Sequence, residues 1–295
     1  MKNHLTLRKQ KIQFKQLLSL ENVTQEDIVE ILSTATDLKS MRAVHESFTI
    51  LKNKYILLVT KPNLPRSSIT FQIAIKELGG EPVMTSLSGE QLESLLGDEH
   101  YVKALSSCGV SAVLVCTSKR EDSHTFKQAT SVPVINATAI TSPSEALATF
   151  MTINECNPNF KNLKVTLVGN FNNDDNSLIT GLVKLGAEVT LLPCENGEPT
   201  EEVIKYLSQY SDVKIINDKK LALQNADFVY FSDGDGKLKV TKEDFADNTK
   251  YRVLSSVPTD TSLYSNDILN GKNSLIDRQS ENLLHVGKAL LFLLV

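Results

Sequence analysis

Apolar residues along this chain fall into short continuous runs separated by amphipathic stretches. Runs at 55–60, 82–85, 112–116 and 132–135 have the length and β-branched content of strands covered on both faces, as in a parallel sheet. Helices are predicted between them near 67–78, 90–106 and 120–129. Before the first strand, Thr24-Gln25-Glu26-Asp27 has the form of a capping signal, and Ile28, Ile31, Leu32 and Leu38 follow at helical spacing. A long helix starts at Ser142, with Pro143 in its first turn, where a missing N–H costs no helical hydrogen bond. After a turn cluster at 157–162 the alternation resumes. Strands are predicted at 164–168, 188–192, 213–215, 228–231 and 252–255, with helices near 174–185, 199–210 and 218–225. A last helix, 279–294, carries Leu283, Leu284, Val286, Leu290, Leu291 and Leu294. Strand–helix alternation in two series predicts an α/β protein with two doubly wound parallel-sheet domains closed by terminal helices. The boundaries fall at 1–145 with the closing helix 279–295, and at 146–278.

Bulk composition narrows the classes. With 295 residues, 41% hydrophobic and 22% charged, the chain can bury two ordinary cores. A net charge of -4 and the lack of a basic stripe argue against nucleic acid as a partner. Only the start is lopsided: Lys2, Arg8, Lys9, Lys11 and Lys15 precede the first acidic residue, Glu21, and read as a solvated arm. No apolar run approaches the roughly 18 residues of a membrane span, so no membrane association is expected. Cys108, Cys116, Cys156 and Cys194 form no C-x-x-C pair, and the five histidines show no metal spacing. A reducing compartment, the cytoplasm or alternatively the mitochondrial matrix, and no cofactor are expected.

The most informative stretch is 61–80, Lys-Pro-Asn-Leu-Pro-Arg-Ser-Ser-Ile-Thr-Phe-Gln-Ile-Ala-Ile-Lys-Glu-Leu-Gly-Gly. A buried strand feeds a helix start through a turn bearing Arg66, Ser67 and Ser68, so free N–H groups, the helix dipole and a guanidinium converge on one place. Arg66 there reads equally as an anion ligand or as an ion-pair partner. Residues Val168-Gly169-Asn170-Phe171 do not make G-x-G-x-x-G, which argues against a dinucleotide site. Asn172 and Asn173 read first as helix caps, and Asp233-Gly234-Asp235-Gly236 as a tight turn rather than a calcium loop. Ser142, Ser144, Ser255 and Ser256 have no nearby base to make any of them a nucleophile.

Over almost its full length the chain resembles the ornithine carbamoyltransferases of the aspartate/ornithine carbamoyltransferase family. The matching framework includes Lys61-Pro62, Leu78-Gly79-Gly80, 131–136 (Ser-Val-Pro-Val-Ile-Asn), Pro143, Ala146-Leu147, Val168-Gly169, Asn172-Asn173, Ala226-Asp227, Glu281-Asn282, His285 and Lys288-Ala289-Leu290. The resemblance implies a carbamoyl-phosphate domain, an amino-acid domain and a trimer with active sites between subunits. That chemistry relies on positioned charge.

The same resemblance marks substitutions at the ligand stations. Where the family has Ser-Thr-Arg-Thr-Arg, this chain has 64–68, Leu-Pro-Arg-Ser-Ser, so Arg66 and Ser67 remain and Ser68 replaces a second arginine. Cys116 and Leu283 stand where two more arginines are expected, and His-Pro-x-Gln becomes Ser142-Pro143-Ser144-Glu145. Ser256 replaces the cysteine of His-Cys-Leu-Pro, Ser232 replaces an aspartate, and Asn173 alone of the amino-acid contacts is in place. Each lost charge-assisted hydrogen bond to phosphate is worth roughly 1.5–3 kcal/mol, so three lost arginines cost about 5–9 kcal/mol, or 10³- to 10⁶-fold in affinity. The expectation is a catalytically inactive homologue with no catalytic residue. It would act as a binding or regulatory subunit, in a homotrimer or in a mixed trimer with an active paralogue. Alternatives are an enzyme with an altered donor or acceptor, using Arg66, Ser67, Asn173, Ser142, Ser144 and Glu145, or a sensor holding a small amino-acid ligand.

Overall fold

In a computed structural model the described residues are 12–44, 49–60, 65–86, 98–117, 120–137, 142–171, 177–195, 197–234, 237–245, 248–255, 257, 259 and 261–295. They form two compact units, residues 1–151 with 282–295, and residues 152–281. Each holds a parallel α/β sheet.

In the first unit β1 (Tyr55–Thr60), β2 (Glu81–Ser86), β3 (Val110–Cys116) and β4 (Val134–Asn136) pair in the order β2-β1-β3-β4, all parallel. The chain thus builds outward from β1 to β2, returns, and builds the other way through β3 and β4. Leu57, Val59, Val113, Val115, Val134, Phe126 and Leu18 share a buried cluster on one side of this sheet. Helix α1 (Gln25–Ala43) is capped as the sequence predicts. The Thr24 hydroxyl accepts from the Asp27 N–H at 3.1 Å, and the Asp27 carboxylate accepts from the Thr24 N–H at 3.3 Å. Helices α2 (Pro65–Glu77), α3 (Glu99–Ser107), α4 (Arg120–Ala129) and α5 (Pro143–Cys156) follow. The part of the predicted 90–106 helix before residue 98 lies outside the described residues.

The fourth strand starts two residues later and ends one residue later than the expected 132–135. Pro133 has no N–H to give a ladder, although its carbonyl accepts from Val113 at 2.9 Å. Pairing moves on to Asn136, whose buried amide donates to the Leu18 carbonyl at 3.0 Å. Leu17 closes the edge beside it, donating to Val134 at 2.9 Å and accepting from Asn136 at 2.7 Å.

In the second unit β5 (Lys164–Gly169), β6 (Glu188–Pro193), β7 (Val213–Ile215), β8 (Phe228–Phe231) and β9 (Arg252–Ser255) pair in the order β7-β6-β5-β8-β9, again all parallel. Helices α6 (Ser177–Lys184), α7 (Glu201–Leu207) and α8 (Lys219–Leu223) connect them. A 3-10 turn at Lys242–Phe245 and the short helix α9 (Asn266–Leu269) were not anticipated. The closing helix α10 (Ile276–Leu294) starts three residues earlier than expected. Val168, Val229, Phe231, Val253, Leu263 and Tyr264 anchor this unit's core.

Candidate ligand stations at the carboxyl ends of the strands

Doubly wound sheets take ligands where strand order reverses, at the carboxyl ends of the two strands that diverge. In the first unit these are β1 and β3, ending at the paired residues Thr60 and Cys116. Helix α2 begins beside that point, with Arg66, Ser67 and Ser68 in its first turn and both serines buried. The turn residues 61–64 lie outside the described residues.

Arg66 does not stand open. Its Nη1 donates to Glu145 Oε1 at 2.8 Å, and the two side chains are 23% and 6% exposed. Glu145 lies in the first turn of α5, 79 residues away in sequence, and helix packing brings the two together. Ser142 caps that helix, accepting from the Glu145 N–H at 3.3 Å, and its hydroxyl lies 3.0 Å from that of Ser144. The Ser-x-x-Glu spacing reads as a capping box, yet its glutamate is committed to Arg66. Burial pushes the Glu145 carboxyl above the usual carboxylate range, and the Arg66 guanidinium draws it partly back.

The other positions that the resemblance singles out in this unit are apolar or inert. Cys116 is fully buried, and burial pushes its thiol up to about 12, so it carries no thiolate at neutral pH. Leu283 is fully buried on α10. Its neighbour Asn282 accepts from Lys39 Nζ at 2.7 Å, and buried Lys288 pairs with Glu77 at 2.9 Å. Arg66 and Glu145 together present no net charge. The sequence puts Arg66 and Glu145 in one candidate set without implying their contact. Two residues so far apart in sequence carry no spacing signal.

In the second unit the order reverses between β5 and β8, which end at Gly169 and Phe231. Gly169 has φ 142°, and a Cβ there would lie 2.5 Å from the Asp233 carbonyl oxygen, so glycine is required. Asn170 N–H donates to that carbonyl at 2.9 Å, and Ser232 Oγ donates to Asp233 Oδ1 at 3.0 Å. Ser255 is buried, donating from Oγ to the Phe231 carbonyl at 3.0 Å and from its N–H to Gln279 Oε1 at 3.1 Å. These short bonds tie the strand ends together. Asn173 and Ser256 lie outside the described residues. Among the described residues no group of three or more His, Cys, Asp or Glu could hold a metal ion, and no helix is long and apolar enough to cross a membrane.

Two parallel α/β units, each with polar residues at the strand ends where its order reverses, define a two-domain α/β protein of the ligand-crevice class. Residues 15–155 match the carbamoyl-P binding domain, and residues 161–294 the Asp/Orn binding domain, of aspartate/ornithine carbamoyltransferase. The chain belongs to the aspartate/ornithine carbamoyltransferase family. It is 28% identical over 310 residues to an ornithine carbamoyltransferase of Bacillus thuringiensis subsp. konkukian, covering 97% of this chain and 96% of the relative. The solved ornithine carbamoyltransferase of Pyrococcus furiosus superimposes with a TM-score of 0.84 at 27% identity, covering 95% of this chain and 96% of that one. An aspartate transcarbamoylase of Trypanosoma cruzi, solved with carbamoyl aspartate and phosphate, shares the fold with a TM-score of 0.84 at 16% identity, over 98% of this chain and 100% of its own.

Proposed function

We propose that this protein does not transfer a carbamoyl group to ornithine and instead serves the family fold as a binding or regulatory subunit. In this reading it assembles as a homotrimer or joins an active paralogue in a mixed trimer, in a reducing compartment such as the cytoplasm. Of the relatives named above, two carry the name ornithine carbamoyltransferase and one aspartate transcarbamoylase; the proposal concerns how this chain departs from them.

The observation that carries it is the Arg66–Glu145 pair at 2.8 Å. Arg66 is the arginine that the resemblance assigns to phosphate, and its charge is already neutralised by a carboxylate of the same chain. An incoming phosphate dianion would have to displace Glu145 and leave that carboxylate buried without a counter-charge, a cost of several kcal/mol. Fully buried Cys116 and Leu283 offer no replacement donor at the positions of two further arginines. Nor is a group poised for chemistry: the Cys116 thiol stays protonated, and Glu145 is held by Arg66. The four free cysteines support the reducing compartment.

Two measurements on the full chain test the proposal. Incubation with carbamoyl phosphate and L-ornithine should yield citrulline no faster than the protein-free blank. Calorimetry with carbamoyl phosphate should show no binding heat. Citrulline above the blank, or carbamoyl phosphate bound with a Kd tighter than about 1 mM, would overturn it.

A further inference from the structure

The second unit carries a cleft at the edge opposite its ligand-crevice end. The cavity is about 380 Å³ and is built at the amino ends of β5, β6 and β7. Its floor is two rungs running across the sheet. Lys164 pairs with Glu188, and Asp212 follows beside Glu188; two residues further on, Thr166 pairs with Thr190 and Thr190 with Lys214. Alternate residues share a face, so all six side chains rise on the same side. Val165, Leu167, Val189 and Leu191 take the other face, and all are buried.

A polar face is out of place in a parallel sheet, whose two faces are ordinarily both covered by apolar packing. Its origin here is the cover. Helix α8 lies on this side, where the Thr166 hydroxyl donates to the Ala222 carbonyl at 2.8 Å. It has only five residues, about 7.5 Å of helix. Strand β6 has six residues and spans about 20 Å. The helix cannot roof the outer strands. Among the described residues, the side chains of Lys164, Glu188, Thr190 and Lys214 enter no ion pair or hydrogen bond. Two ammonium groups and two carboxylates therefore line one cleft with a net charge of zero. Ile216 and Leu221 form an apolar wall at its inner end.

We propose that this cleft binds a free zwitterionic α-amino acid with an extended side chain. Glu188 and Asp212 receive the α-ammonium, Lys214 and the Thr190 hydroxyl hold the α-carboxylate, and the side-chain stem lies along Ile216 and Leu221. A singly charged ligand satisfies only half of this set, and the missing net charge gives a dianion no attraction. The volume agrees: at roughly 30 Å³ per water-sized atom the cleft holds about a dozen non-hydrogen atoms. The proposal is independent of the inactivity proposed above, because no residue of the first unit enters it.

Methyl-labelled NMR of the full chain tests it, with L-citrulline, L-arginine, L-ornithine and L-glutamine as probes. At least one should shift Ile216 and Leu221 saturably, with a Kd between about 1 µM and 1 mM. Acetate and n-butylamine, each carrying one charge of the zwitterion, should bind at least tenfold more weakly. Lys214→Glu and Glu188→Gln should each weaken binding at least tenfold while leaving the melting temperature unchanged, since Lys214 is exposed, Glu188 is only part-buried and neither side chain is paired among the described residues. Shifts confined to Val168 and Leu192 at the opposite strand ends, no shift with any probe, equal binding of the half-charged controls, or unchanged affinity in both variants would each overturn the proposal.

Discussion

Replacing Arg66 by Met tests the buried ion pair directly. The substitution keeps much of the side-chain volume and removes the counter-charge that meets Glu145 at 2.8 Å. Breaking a buried pair from one side costs roughly 3–5 kcal/mol, because the remaining charge has lost its solvent and its partner. Glu145 is 5% exposed while the Arg66 side chain is 23% exposed, so water already reaches one end and the lower figure of about 3 kcal/mol applies. For a domain of this size each kcal/mol moves the melting temperature by about 2–4 °C, so the variant should melt about 6–12 °C below the parent at pH 7.5. Acid should narrow that gap. Burial already holds the Glu145 carboxyl above its ordinary 4.5, and without Arg66 nothing draws it back. A carboxyl with a raised pKa in the folded state favours folding below its unfolded value and loses that contribution as pH rises through its folded value. The deficit of Arg66→Met should therefore be largest at pH 7.5 and shrink toward pH 5. Adding Glu145→Gln removes the charge itself and should recover most of the loss. A melting deficit equal at both pH values, or a double variant no more stable than the single one, would refute the reasoning.

Two further predictions concern other parts of the fold. His285 is buried, and burial, followed by repulsion from Lys288, Lys39 and Arg42, pushes its imidazole down from 6.5 to about 3. Its neutral form stabilises the fold above pH 6.5, and that contribution drains away as pH falls toward 3. His285→Gln should therefore lose about 2 kcal/mol less than the parent between pH 6.5 and 5 in urea titrations, and identical losses would sink the assignment. Gly169→Ala places a Cβ 2.5 Å from a carbonyl oxygen at φ 142°, and should cost at least ~2 kcal/mol by the same titration; a cost under ~0.5 kcal/mol would contradict the geometry.

Elements whose cause is local were legible in the sequence. Thr24 and Asp27 announce a capping box that forms, and Pro143 marks the first turn of α5. Continuous apolar runs located the strands to within a residue or two because parallel strands are buried on both faces. Long-range consequences were not legible. Leu17 lies in a segment without periodicity, yet it completes the edge of β4. Asn136 lies one residue past the expected strand, but it pairs with Val115 as the last rung and its buried amide donates to Leu18. The stations were found by resemblance, position by position. That Arg66 would be held by Glu145 could not be read, because neither the charge nor the spacing of one residue names a partner a whole sheet away.

The Arg66–Glu145 pair also changes what this fold asks of its surroundings. An anion pocket lined by uncompensated arginines is electrostatically unfinished until a ligand arrives, and dissolved phosphate or sulfate stiffens such a protein. Here the helix start of α2 carries its own counter-ion, supplied from α5 at 2.8 Å. At this station the guanidinium is balanced from within the chain, so its charge does not wait for a ligand to be matched.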